Sequence, residues 1–237
     1  MWAEHAIFTS ILRQGRGGYH LVARSPGLLD DEARAISRWS PSHGSLLLDA
    51  DNPAGVSFYP LPGGRFALAR SCEGPPEYSG RGGRQLYTHT MVLDEAGLRS
   101  VGWQPLAVYH NALAVGALLY EPSPPTSLRP LRLPDLHIPL GTSDWEARAA
   151  ERRLPDLKPL RERLLAGRAV QVAHEGDRMA LAECLLGTLP PAAVGNVSFA
   201  ASLRPSTVRP FLLSIVAPDA LANGAAHAGA AGASSTR

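Results

Sequence analysis

Cys72, His89 and three nearby arginines are the residues of this 237-residue chain whose types and spacing could do chemistry. Cys72 closes the β-prone run 66–71, and His89 lies mid-run in Tyr87-Thr88-His89-Thr90-Met91. Arg70 precedes the thiol by two positions, and Arg81 and Arg84 stand in the loop Gly80-Arg81-Gly82-Gly83-Arg84 just upstream of the histidine. A cysteine becomes a nucleophile when a base such as His89 lies within hydrogen-bond reach and a third group orients that base. Arg70, Arg81 and Arg84 beside His89 would form an anion or peptide pocket, since guanidinium groups bind such ligands through paired donors. The plainer expectation is an inert thiol and a strand histidine satisfied by a backbone partner. Convergence of Cys72, His89 and the arginines in one concavity favours chemistry; scatter disfavours it.

Other motifs fail on inspection. His174-Glu175-Gly176-Asp177 is half of a zinc-protease motif, but position 178 carries Arg178 where a second histidine is needed. Neither Gly15-Arg16-Gly17-Gly18 nor the 80–84 loop is followed by Lys-Ser or Lys-Thr, so neither is a P-loop. The sequence has no Gly-x-Ser-x-Gly elbow. Two cysteines, Cys72 and Cys184, are too few for a disulfide framework or a zinc ribbon. No catalytic residue, metal site or cofactor is expected.

The elements that must position these residues read as α+β. Residues 6–12 and 19–25 are β-prone runs around a glycine-rich loop, a hairpin pattern. Helical spacing of Leu29, Ala33 and Ile36, with Asp30, Asp31 and Glu32 first, predicts a helix over 28–39. Strands are predicted at 45–49, 55–59, 66–71 and 85–93. Gly17-Gly18 followed by Ala23-Arg24-Ser25 is echoed by Gly63-Gly64 followed by Ala69-Arg70-Ser71, which fits two similar hairpins better than a duplication. Residues 105–119 are apolar on nearly every face, the pattern of a buried helix with proline in its first turn.

Six prolines between 121 and 141 forbid a regular helix and mark a connector. Helices over 144–153 and 156–166 follow, the second capped by Gly167. A strand over 169–173 leads to a helix capped by Asp177 and stopped at Gly187. Strands over 197–203 and 211–216 complete a βαβ-like pattern. The expected organisation is a β-rich lobe with a buried helix (1–120), a connector (121–141), a helix-rich α/β lobe (142–217) and an Ala/Gly/Ser-rich tail (218–237), expected to be disordered.

Composition narrows the function classes. A net charge of +2 provides no global field for nucleic acid or an anionic membrane. Lys158 is the sole lysine, which fits a GC-rich genome more simply than selection for phosphate contacts. The N-terminus lacks a signal-peptide profile, and the longest apolar stretch, 112–120, is far short of the ~20 residues a bilayer requires. A soluble, cytoplasmic protein is the expectation.

Three stretches together resemble one family. Gly17-Gly18-Tyr19-His20-Leu21-Val22-Ala23-Arg24-Ser25-Pro26-Gly27-Leu28 is similar to its opening motif, and residues 80–93, with Arg84 and His89-Thr90, to its central basic loop and strand. Leu185-Leu186, Leu189-Pro190-Pro191, Ser198-Phe199, Arg204-Pro205-Ser206 and Arg209-Pro210-Phe211 resemble its closing motif. The family is the N-terminal domain, second type, of bacterial GTPase-associated proteins. The resemblance implies a non-catalytic adaptor or scaffold that engages a GTPase or another component of a conflict or defence-like system. It also implies a reduced member, because relatives often continue into further domains. The alternative reading is a hydrolase or nucleotide-handling enzyme using Cys72 or His89 near Arg70, Arg81 and Arg84.

Overall fold

The computed structural model describes residues 1–13, 16–76, 83–135 and 142–220. The expected hairpin is present: β1 (Trp2–Arg13) pairs antiparallel with β2 (Arg16–Arg24). Helix α1 (Asp30–Trp39) follows with its three acids in the first turn. The buried Glu32 turns back to accept the Leu29 N–H at 2.9 Å. The same carboxylate pairs with Arg65, whose Nε donates at 2.6 Å, and this fixes α1 to the next hairpin.

That hairpin joins β3 (Gly55–Pro60) to β4 (Phe66–Pro76) through a 3-10 turn at 62–64. Strand β5 (Arg84–Leu93) pairs with β4 on one side and β1 on the other. The run 45–49 does not become the expected strand, because only Leu46 bridges across to Leu203. Asp49 and Asn52 bond to each other, while Arg178 holds the Leu47 carbonyl and the Asp49 carboxylate. Those bonds commit the segment to a loop.

Beyond α2 (Glu95–Ser100), helix α3 (Pro105–Ala114) is buried as its composition requires, but it ends before residue 119. Gly116 and Leu118 take φ of +80° and +60°, which a continuing helix cannot accommodate. The connector contains β6 (Leu131–Arg132), which pairs with the start of β1. Helices α4 (Thr142–Glu151), α5 (Leu157–Leu165) and α6 (Arg178–Gly187), the strand β7 (Val170–Ala173) and the short helix α7 (Pro191–Val194) precede β8 (Phe199–Ala201) and β9 (Leu213–Val216).

The result is mixed α+β, with antiparallel strands first and a parallel unit later. Among the described residues one sheet runs β2-β1-β5-β4-β3-β8-β9-β7, with β6 beside β1. β9 lies parallel to both β7 and β8, while β8 is antiparallel to β3. The residues expected in two lobes therefore contribute to a single sheet. Of the expected tail, residues 218–220 form a helical turn with Ala220 buried, and 221–237 lie outside the described residues.

Alternation along the strands divides the core by face. Val56, Phe58, Phe66, Leu68, Met91 and Leu93 face the helices α2 to α6. Ala6, Tyr59, Ala67 and Val92 face the other way, against Ile36 of α1.

Two glycines expected to end helices do different work. Gly167 has φ +67°, the left-handed cap that the sequence suggests. Gly187 is still helical, and a Cβ there would lie 2.3–2.6 Å from the Trp145 ring of α4. Its absent side chain lets α4 and α6 approach. Gly187→Ala should cost about 2 kcal/mol by overpacking, and Gly167→Ala about 1 kcal/mol through backbone strain. Equilibrium urea unfolding checks both; a Gly187 variant as stable as the parent would refute the Trp145 contact.

Candidate functional site

Strand register brings three of the chemically suspect residues together. Arg70 of β4 sits opposite His89 of β5, and Cys72 opposite Tyr87. His5 of β1 lies one inward position along from Ile7, the residue paired with His89. All point to the helix-covered face, between an apolar cluster holding Leu68 and Met91 and a second holding Ile7, Cys72 and Tyr87. His5, Arg70 and His89 thus form a polar seam across an otherwise greasy surface. The turn after α3 and the connector cover it: Arg70 donates to the Leu118 carbonyl at 3.3 Å, and His5 Nε2 lies 2.7 Å from the Arg129 carbonyl.

Hydrogen bonding fixes the protonation of the two imidazoles. A carbonyl only accepts, so His5 Nε2 carries a proton and donates to Arg129. His5 Nδ1 must then accept, and His89 Nε2 donates to it across 2.8 Å. His89 Nδ1 is left as a buried acceptor with no partner among the described residues. Burial pushes His89 down to about 3, with the nearby His5 and Arg70 adding to the shift. Burial likewise lowers His5, against the opposing pull of its Arg129 bond and of Glu4.

The thiol is also held neutral. Burial raises Cys72, and the Arg70 guanidinium beside it only partly offsets that. Tyr109 of α3 is raised by burial in the same way, again with Arg70 opposing. A thiolate–imidazolium pair needs the reverse of both shifts: a depressed thiol and a histidine that accepts its proton. What the seam does chemically is to tie β1, β5 and the connector together through neutral donors and acceptors.

The remaining sequence candidates separate from this cluster. Arg84 is exposed at the start of β5 and pairs with Glu73 at 3.1 Å. Arg81 lies outside the described residues. Cys184 is buried in α6, and Asp177 caps that helix by accepting the Ala180 N–H at 2.9 Å, so 174–177 is a capping turn. Among the described residues no group of His, Cys, Asp and Glu could hold a metal, and no helix is long and apolar enough to cross a membrane. Sequence reasoning missed His5. Its signal was the β1 alternation, which puts residue 5 on the same inward face as Ile7.

Residues 2–132 match the family described as GTPase-associated protein 1, N-terminal domain type 2. The chain belongs to this family. The matched span runs from β1 through β6, so the whole His5–Arg70–His89 seam falls within the GTPase-associated N-terminal domain. The closing motif over 185–211 lies beyond it. No curated protein and no solved structure matches the chain.

The neutral histidines make stability pH-dependent. In the unfolded chain they take up protons near 6.5, whereas in the fold they resist protonation. Their contribution is therefore complete above about pH 6.5 and falls as the pH drops, for His89 down to about 3 and by roughly 1 kcal/mol per pH unit, with His5 adding in the same direction. Thermal unfolding followed from about pH 7.5 to about pH 5 should show a falling midpoint. His89→Gln, which removes one titrating group, should flatten that slope; an unchanged slope would contradict the buried pair.

Proposed function

We propose that this chain is a non-catalytic adaptor that binds a GTPase or another component of a bacterial conflict system in the cytoplasm. The observation that carries this reading is the family match, whose description couples the domain to a GTPase. The state of the only thiol–histidine cluster found among the described residues supports it, since both groups sit in the form least suited to nucleophilic attack. The surface adds contact chemistry. Val115, Leu119 and Tyr120 are exposed in the turn that follows α3, and the edges of the sheet are β2 and β7. Adjacent exposed apolar side chains and strand edges are features through which protein partners dock. Arg84, exposed at the basic loop, supplies charge to the same kind of contact.

The second reading is a hydrolase or nucleotide-handling enzyme. Convergence of Arg70, Cys72 and His89 on one face favours it, and the shifts of the thiol and imidazole weigh against it.

Affinity capture from the source organism, read by mass spectrometry with GTP and GDP in parallel, tests the adaptor reading. The expected outcome is recovery of a GTPase whose retention depends on the nucleotide, reduced by Arg84→Glu and by Leu119→Asp. Capture of neither a GTPase nor any other conflict-system component under either nucleotide would sink the proposal.

A further inference from the structure

A second site lies on the opposite side of the molecule, where two loops distant in sequence close over the end of α1. Residues 40–46 and 203–209 are laced together by backbone bonds. Arg204 N–H donates to the Ser45 carbonyl at 2.7 Å, Leu46 bridges Leu203, and Leu47 N–H reaches the Ser202 carbonyl at 3.0 Å. Between them is a cleft of about 440 Å³ lined by Arg38, His43, Arg204, Arg209 and several serines, with no Asp or Glu in its wall among the described residues. That volume falls in the ~300–1,000 Å³ range of small-molecule pockets.

Arg209 is the decisive residue. It is only 8% exposed, yet no carboxylate pairs with it among the described residues. Its terminal nitrogens donate to the Ser40 carbonyl and the Ser45 hydroxyl, each at 3.2 Å, and its Nε has no partner among the described residues. Burying a cation without a counter-charge is costly. The chain avoids that cost elsewhere: buried Arg178 pairs with Asp49, and buried Glu32 pairs with Arg65. Arg209 alone of these three keeps its charge unneutralised, and it does so in the wall of a cleft that Arg38 and Arg204 make still more positive.

We infer that this cleft binds a phosphate group carried on a small organic molecule. Several guanidinium groups facing one space suit a doubly charged, tetrahedral anion better than a single carboxylate. The Ser206 hydroxyl accepts the Val208 N–H at 3.3 Å, which leaves its proton free to donate to that anion. Phe8, Pro41, Pro205 and Val208 complete the wall and give an apolar body a place to rest. Gly83 reaches the site from a third direction. It has φ +100°, and a Cβ there would stand 2.5 Å from the His43 ring.

Phenyl phosphate, with benzoate as a carboxylate of similar size, tests the assignment on the full chain by isothermal titration calorimetry. Phenyl phosphate should bind roughly tenfold more tightly than benzoate, and Arg38→Gln combined with Arg204→Gln should weaken it by about tenfold or more. Both arginines are exposed, so the double variant should keep the parent's circular dichroism and unfolding midpoint. Equal affinity for the two anions, equal affinity of parent and variant, or no heat at about 10 mM ligand would each overturn the inference. The site is separate from the proposed GTPase contact, and capture of a GTPase by the double variant would leave that reading standing whatever happens here.

Discussion

Three residues of β8 hold the molecule in one piece. Phe199, Ala200 and Ala201 pair antiparallel with Phe58, Ser57 and Val56 on one side and parallel with Leu213, Ser214 and Ile215 on the other. Without that short strand the antiparallel meander and the parallel unit would be two sheets with bare edges. Side chains repeat the connection on both faces. Phe199 stacks near Phe58, which in turn stacks on Phe66, with ring centroids 6.0 and 5.5 Å apart. On the far face Phe211 meets Trp39 edge-on at 5.0 Å, and Trp39 lies flat on Tyr59 at 4.8 Å. Small residues at 200 and 201 leave the strand narrow, which lets it stay buried between its neighbours.

The polar seam is the second constraint, and it shows how a buried face can tolerate histidine and arginine. Two neutral imidazoles in series pass their hydrogen bonds to one backbone carbonyl, so neither carries a charge that burial would penalise. The half-buried Arg70 sits at the margin of the face and donates to the Leu118 carbonyl. Such an arrangement specifies which connector residues close over the sheet, because only a carbonyl placed like that of Arg129 completes the chain of donors. It is an architecture of register, and its histidine pair acts through neutral groups.

Membership of the GTPase-associated N-terminal domain family concerns residues 2–132. The later helices and the strands β7 to β9 extend the same sheet beyond that span. The phosphate cleft draws on both portions, with Arg38 and His43 from one and Arg204 and Arg209 from the other. Its two loops, one following α1 and the other following β8, are joined by the Leu46–Leu203 bridge.

The sequence by itself determined the local elements and several of their ends. Acids in the first turn of α1, proline at the start of α3, Asp177 before α6 and glycine at 167 act within a few residues of themselves, and local rules are legible in a linear pattern. Strand alternation likewise sets which residues of β4 and β5 share a face. Longer-range matters were settled by the tertiary structure alone. Nothing in the spacing says that His89 would bond to His5, 84 positions away, or that Asp49 would serve Arg178 and forgo a strand. Gly187 reads as a stop signal in one dimension and is a contact surface for Trp145 in three. Arg209 reads as one arginine among many, because burial is a property of the packed chain and the cost of an unneutralised charge exists only where water has been excluded.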